Sequence, residues 1–249
     1  MDIKGKTAVV TGATGGLGWR ICLALAKEGA RLCLVYGRSK EKAEDHVKEL
    51  ASLGCEAVAV SADVTKEEGI DRMFAAAVTA FGGIDILVLD AAYNETIPFR
   101  DLETLDADKW SFIVDYNLKA PYLAARKVAP FMKKRGGGRI VTISSVAGAQ
   151  PMGSSIAYAV SKAGVTHLAK CLAVALAPEI LVNDVAPGLM EGTGMTGKLS
   201  EEQIKNSLSV SLLKRAADKD DVADAVAMFI RSDSITGQSL VVDAGRVFK

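Results

Sequence analysis

The chain has 249 residues, 49% of them apolar and 24% charged, a balance that fits a soluble globular protein with room for one covered sheet. Its 30 basic residues are matched by 30 acidic ones, so no net positive field faces a phosphate backbone, which argues against a nucleic-acid binder. Cys22, Cys33, Cys55 and Cys171 lack metal-ligand spacing and only His46 and His167 accompany them, so buried thiols are expected and a metal site is not.

With no signal-like start and no apolar stretch of transmembrane length, the expected location is cytoplasmic, or the matrix of an organelle. Residues 6–11, KTAVVT, read as a strand, followed at once by Gly12-Ala13-Thr14-Gly15-Gly16-Leu17-Gly18 and an amphipathic helix over Leu17–Lys27. Strand, glycine turn and helix together suit a dinucleotide. Glycine lets the backbone come close, and the helix start offers N–H groups to a pyrophosphate. Glycines at 12, 16 and 18 depart from the common fingerprint spacing, which leaves a plain turn as the alternative reading.

Arg31–Tyr36 is a second strand. In a nucleotide fold the residue at its end meets the adenosine ribose, where a carboxylate accepts the hydroxyls and repels a 2′-phosphate. This chain has Tyr36, Gly37, Arg38, Ser39 and Lys40 there, with no acid before Glu41, which points to NADP(H) rather than NAD(H). Solvated charges at a helix start are the alternative. A helix over Glu41–Leu53 leads to a third strand, Cys55–Val60. Asp63 comes next and suits an adenine amine, the cap of a helix over 66–81, or both.

Ile84–Leu89 is a continuous apolar run, hence a central strand of a parallel sheet. Asp90 follows directly, with Ala91 and Ala92 leaving room for a ligand; the acid is read as backbone-bonded, solvated or functional. After a polar loop over 95–107, a helix spans Ala107–Lys134 with a bend or break at Pro121. Trp110, Ile113, Tyr116 and Leu118 fit a buried stripe on it, and Asn117 among them needs hydrogen-bonding partners.

Arg139–Ser144 is a β-branched strand, Val146–Ser155 a loop, and from Ile156 the spacing turns helical until Pro178. Ser145 therefore stands at a strand's carboxyl end, and Tyr158 and Lys162, four apart, share one helix face. A free phenol titrates near pH ~10. A neighbouring ammonium lowers that value, so the three groups form a proton-transfer set. A Tyr–Lys pair at this spacing also arises by chance, and the surroundings must carry the weight. Ile180–Val185 is a sixth strand and the glycine-rich Pro187–Gly197 a substrate lid. Helices follow over 201–208 and 218–231, the second capped by Asp218 or Asp220, before a seventh strand, Ser239–Val242.

Strand and helix alternate without linker or repeat. The expected fold is α/β: a single domain over residues 1–249, with a doubly wound, parallel, seven-stranded, Rossmann-like sheet covered by helices on both faces. Ligands in such sheets lie beyond the strands' carboxyl ends, where Gly12, Asp63, Asp90, Ser145 and Pro187 all fall.

At this point the motifs combine. Residues 11–18 match TGxxxGxG, Tyr158–Lys162 matches YxxxK, and Ser145 precedes the tyrosine by thirteen residues. With Asn117, Asp63-Val64, and Pro187-Gly188 followed by Thr193, the chain resembles the short-chain dehydrogenase/reductase family over essentially its whole length. In pattern it is most like the 3-oxoacyl-carrier-protein reductases. The resemblance implies Asn117, Ser145, Tyr158 and Lys162 as catalytic residues. It implies cofactor contacts from Gly12, Thr14, Gly16, Leu17, Gly18, Tyr36, Arg38, Ser39, Asp63, Val64, Asp90, Ala91, Pro187, Gly188 and Thr193, with Tyr158 and Lys162 touching the cofactor as well. Tyr158 then exchanges the proton, Lys162 holds the nicotinamide ribose and lowers the pKa of Tyr158, Ser145 binds the substrate oxygen, and Asn117 positions a water.

The implied activity is NADPH-dependent reduction of a ketone, or of a 3-oxoacyl thioester, to a secondary alcohol. An NAD-dependent secondary-alcohol dehydrogenase is the alternative, and a non-catalytic dinucleotide-binding regulator a weaker one. A homotetramer and an acyl-carrier-protein partner are also implied, with neither nucleic acid nor membrane as partner. The chain departs from the family's Asn-Asn-Ala-Gly at Leu89-Asp90-Ala91-Ala92, and an ionised Asp90 is expected to tune the site. Ala92–Thr96, Val146–Gly153 and Leu189–Leu199 are expected to line an apolar pocket, through Tyr93, Val146, Met152, Leu189, Met190 and Met195. Arg100, Lys133, Lys134 and Arg135 are scattered candidates for docking an acidic carrier.

Overall fold

The protein's structure is a computed structural model that describes residues 1–194, 196–198 and 200–248, those at 198 and 203 by backbone alone. Its seven strands are β1 (Thr7–Thr11), β2 (Arg31–Tyr36), β3 (Ala57–Ser61), β4 (Ile86–Leu89), β5 (Gly138–Ile143), β6 (Ile180–Pro187) and β7 (Ser239–Val242). They form one parallel sheet in the order β3-β2-β1-β4-β5-β6-β7. The chain winds outward from β1 to β3, returns to the other side of β1 at β4, and winds outward again. The crevice at this reversal, beyond the carboxyl ends of β1 and β4, is where such sheets bind ligands. Thr11 stitches it: its hydroxyl accepts the Ala91 N–H at 3.1 Å and donates to the Val88 carbonyl at 3.3 Å.

The helices are α1 (Gly16–Lys27), α2 (Lys40–Ser52), α3 (Glu67–Phe81), α4 (Ala107–Val114), α5 (Ala120–Lys134), α6 (Ile156–Leu176), α7 (Glu201–Ser209) and α8 (Lys219–Arg231). Alternation along each strand divides the core in two. Val10, Leu32, Val141 and Val185 meet Ile21 and Leu25 of α1 and Val226 and Ile230 of α8. Val9, Leu87, Ile140 and Val182 face the other way, onto Phe74 of α3, Val128 and Met132 of α5 and Leu172 of α6. Each such side chain contributes about 1.5–3 kcal/mol on burial.

The long helix expected over 107–134 is three pieces. Between α4 and α5, residues Asp115–Lys119 form a π turn, and the Ala120 N–H donates to the Asp115 carbonyl five residues back. The physical reason is Pro121, in the first turn of α5, which lacks the N–H that an α-helix would direct at the Asn117 carbonyl. The expected buried stripe also needs correcting. Ile113 is buried, but Trp110 is 38% exposed and Tyr116 and Leu118 are half-buried, because, of this stripe, only Ile113 packs into the cluster with Ala147, Ala157 and Tyr158. Asp218, not Asp220, caps α8, accepting the Asp220 N–H at 2.8 Å.

The expectation of no apolar stretch of membrane-spanning length also needs correcting: α6 reaches that length and composition. Its apolar residues are used inside the fold instead. Val165, Ala169, Leu172 and Ala173 are buried, the last three in the core beneath α3 and α5. Ala169 and Ala173 thus serve internal packing.

Candidate active site

The glycine turn forms as the strand–turn–helix pattern requires. Gly12 sits at φ +70°, a left-handed conformation that favours glycine. A Cβ added to Gly18 would lie 2.3 Å from the Gly12 carbonyl oxygen and 2.9 Å from Asp90 Oδ2, so only glycine fits there. The Gly15 cap position of α1 offers no side chain and no acid stands in its first turn; the Gly18 N–H goes to Asp90, which leaves those of Gly16 and Leu17 for an anion. This bare, close-packed turn fits a dinucleotide pyrophosphate. Leu17 is buried beneath it, Thr14 is half-buried beside it, and Gly16 lies against Gly192 and Thr193 of the loop after β6.

Ser145, Tyr158, Lys162 and Asn117 come together beyond β4 and β5. Ser145 follows β5 by two residues, and its hydroxyl accepts the Ala147 N–H at 3.1 Å while hydrogen-bonding the Tyr158 phenol. Both polar backbone groups of Tyr158 are held. Its N–H donates to Ser155 Oγ, the cap of α6, at 3.2 Å, and its carbonyl accepts from Ser161 Oγ at 2.7 Å. The Asn117 amide donates to Ser161 Oγ at 3.2 Å and joins this lattice. Lys162 is buried, and its ammonium donates to the Ile143 carbonyl at 2.7 Å.

The charges explain how the set behaves. Burial pushes the Tyr158 phenol up to about 12, with a smaller upward contribution from Asp90 and a downward one from the Ser145 hydrogen bond. The protein's own groups therefore move Tyr158 opposite to the expected direction; Lys162, 5.8 Å from the ring centre, does not overcome desolvation. Burial likewise lowers Lys162 to about 8, against the opposing pull of Asp90 and Asp184. Asp90 resolves as half-buried rather than solvated. Burial lifts it to about 7, while Lys162 and a hydrogen bond from the Gly18 N–H favour its carboxylate. An acid poised near neutrality replaces the fully ionised Asp90 that the sequence suggests.

At the adenosine end, Tyr36 is half-buried where β2 finishes, and Arg38 and Ser39 are exposed beyond it, with Ser39 at the start of α2. Asp63 uses its side chain locally, accepting the Thr65 N–H at 3.0 Å and the Thr65 hydroxyl at 2.7 Å, which lowers its pKa. Asp63 therefore does not cap α3, whose cap position is Lys66, three residues on; with its carboxylate turned back to Thr65 it stabilises the turn that leads into the helix instead. Val64 is buried beside it. Across the crevice, Ala91 and Ala92 are half-buried, Pro187 ends β6, and the Gly188 N–H donates to the Val242 carbonyl at 2.9 Å.

On the substrate side, Tyr93 and Met152 pack with Leu105 around Ile113, Ala147, Ala157 and Tyr158. Val146 is buried, and Met190 is half-buried and packs against the core formed with α1 and α8. Met195, Leu199 and the side chain of Lys198 lie outside the described residues. Arg135 is not free to dock a carrier, since Nε and Nη2 pair with buried Asp85 at 3.1 and 3.2 Å. Sequence reasoning missed Ser155, Ser161 and Asp184. Ser155 was findable as a helix-capping serine three residues before Tyr158. Asp184 carried a signal too, as an acid inside the apolar run ILVNDVA.

Fold and site together define a dinucleotide-dependent oxidoreductase. The short chain dehydrogenase family model matches residues 6–204. The 3-oxoacyl-[acyl-carrier-protein] reductase FabG of Staphylococcus epidermidis (strain ATCC 12228) is 36% identical over 244 residues, covering 96% of this chain and 98% of that protein. Dehydrogenase/reductase SDR family member 4 of Homo sapiens is 36% identical over 250 residues, covering 98% and 88%. The solved structure of a Sinorhizobium meliloti 1021 protein classed with the short-chain alcohol dehydrogenases superposes with a TM-score of 0.90 at 31% identity, covering 98% and 97%. The chain belongs to the short-chain dehydrogenase/reductase family, and it is an NAD(P)-dependent oxidoreductase acting on CH–OH and C=O groups.

Proposed function

We propose that the chain is an NADPH-dependent carbonyl reductase that converts a ketone, with 3-oxoacyl thioesters among the candidates, to a secondary alcohol. The observation that carries the reading is the convergence of the Tyr158 phenol, the Ser145 hydroxyl and the buried Lys162 ammonium beside an uncapped glycine turn. Arg38, exposed at the end of β2 with no acid before Glu41, supports the phosphorylated dinucleotide, since its guanidinium matches phosphate oxygens. The glycine turn and the start of α1 would hold the pyrophosphate, with Asp63 and Val64 beside the adenine, and Ala91, Pro187, Gly188 and Thr193 beside the nicotinamide half. When bound, the dinucleotide supplies the hydride that reaches the carbonyl carbon.

The chain's own residues do the rest. Ser145 donates to the substrate oxygen and holds it against Tyr158, whose phenol delivers the proton. A phenol kept neutral suits the direction of reduction. Lys162 presents an ammonium to the cofactor ribose and returns protons to Tyr158. Asn117 holds the Tyr93 turn and the Ser161 link, and its position beside Pro121 suits a water in the proton path. The apolar wall of Tyr93, Met152 and Leu105 favours a substrate with little charge.

Further parts of the reading rest on the surface and on the family. Residues 1–249 act as one domain in the cytoplasm. Trp110, Phe112, Tyr122 and Val160, exposed on α4, α5 and α6, support a homotetramer. Arg100 and Lys134 remain for an acyl carrier protein, Lys133 being paired with Glu179 at 4.0 Å. A secondary-alcohol dehydrogenase using NAD is the second reading. Initial rates with NADPH and NADH, run in parallel against simple ketones and acetoacetyl-CoA, test the proposal. Faster turnover with NADPH supports it. Preference for NADH, or for alcohol oxidation alone, sinks it.

A further inference from the structure

Asp184 of β6 is completely buried, and its carboxylate collects five hydrogen bonds. Oδ1 accepts from Thr142 Oγ1 at 2.9 Å and the Ser144 N–H at 3.1 Å. Oδ2 accepts from Ser144 Oγ at 2.6 Å, Ser239 Oγ at 2.7 Å and Thr166 Oγ1 at 3.1 Å. Thr142 and Ser239 are its registered neighbours on β5 and β7, so three strands meet at one acid. The fourth element is α6, through Thr166, one turn beyond Lys162.

A carboxylate offers about four lone-pair sites, and here they are saturated. Its partners surround the reacting groups without being any of them. Ser144 lies between Ile143, whose carbonyl takes the Lys162 ammonium, and Ser145. Burying an acid in an apolar sheet costs several kcal/mol unless it is fully hydrogen-bonded, and removing any one of these partners would leave that cost exposed at the joint of β5, β6, β7 and α6.

We propose that Asp184 is a positioning residue for the reaction, one that fixes the Ser145 strand end against the Lys162 turn of α6, with its carboxylate set behind that turn. The proposal rests on the assignment of Tyr158 and Lys162 to the chemistry. The charged and titratable groups that face Lys162 are Asp184 from β6, Asp90 from the end of β4 and Tyr158 on α6 itself. Charges on the other elements against α6 are directed elsewhere. Asp115 pairs with Lys119, Lys109 with Glu95, and Arg139 with Asp233, while Tyr116 senses Asp63 and Arg38.

Asp184→Asn preserves shape but removes the charge and turns one acceptor into a donor. NADPH binding, followed by protein fluorescence from about pH 6 to about pH 10, reports the Lys162 ammonium directly. The variant's alkaline limb is expected to move down by about half a pH unit or more. Its kcat on the ketone turned over best by the wild-type chain falls roughly tenfold, with the KM for that ketone little changed. Thr166→Val and Ser239→Ala each remove one bond to the same oxygen, but only Thr166 ties the carboxylate to α6, so the first is expected to lose roughly threefold more kcat. A folded Asp184→Asn chain with an unmoved limb and full kcat overturns the proposal. If that variant does not fold, equal kcat losses in the two hydroxyl variants overturn it, and unequal ones support it. A fully active Tyr158→Phe chain defeats the site reading itself, and the positioning role with it.

Discussion

The Asn117 amide clasps both backbone polar groups of Tyr93: its Oδ1 accepts the Tyr93 N–H at 2.8 Å and its Nδ2 donates to the Tyr93 carbonyl at 2.8 Å. The second N–H of the same amide reaches Ser161 Oγ. One side chain therefore couples the loop after β4 to the helix that carries Tyr158.

Replacing Asn117 with Ala leaves two buried backbone groups without partners. Each unmade bond of this kind costs about 1–3 kcal/mol, so a loss on the order of 2–5 kcal/mol in unfolding free energy is expected, measurable by urea denaturation. Turnover falls at the same time, because Tyr93 and Tyr158 share one apolar cluster.

Asp90 makes stability depend on pH. Its folded-state value of about 7 lies above the unfolded value of about 4. Over that window the folded chain keeps a proton that the unfolded chain has released, so this contribution is full below about pH 4 and is lost as pH rises through 7. Asp90→Asn stays neutral throughout. Relative to wild type, its Tm is expected to rise between pH 5 and pH 8 by the equivalent of about 1–3 kcal/mol. A constant Tm difference across that range rules the shift out.

Tyr158→Phe removes the proposed proton donor but leaves the helix cap at Ser155 and the Ser161 bond, both made to the Tyr158 backbone. The variant is expected to lose roughly 10²–10⁴-fold in kcat while binding NADPH within about threefold of wild type. Stopped assays and fluorescence titration separate the two quantities.

Arg38 makes the cofactor preference testable without touching the chemistry. Arg38→Ala is expected to raise the KM for NADPH roughly tenfold and to leave that for NADH unchanged. Equal changes for both cofactors would count against a 2′-phosphate contact.

Gly18→Ala tests the turn. The new methyl meets the Gly12 carbonyl and Asp90 Oδ2, so either the turn opens or the helix shifts, and dinucleotide binding is expected to fall by roughly 100-fold or more. Circular dichroism distinguishes this from unfolding.

Most of the architecture is legible in the residues themselves. Alternating apolar strands and amphipathic helices specify a covered parallel sheet, and glycines 12, 16 and 18 between a strand and a helix specify its tight first turn, the place proposed for the dinucleotide. Tyr158 and Lys162 share a face because helical periodicity is local, and Ser145 reaches them because strand ends of a parallel sheet converge. These are consequences of short-range stereochemistry, and the sequence alone determines them. What the tertiary structure decides is environment. Asp90 becomes an acid poised near 7, Tyr158 a phenol held up and Lys162 an ammonium held down, because only the packing of segments far apart in the chain sets how much water each group loses and which charges stand near it. The π turn beside Asn117, the exposure of Trp110 and the five-bond cluster at Asp184 likewise depend on which elements pack together. No local pattern encodes those neighbours.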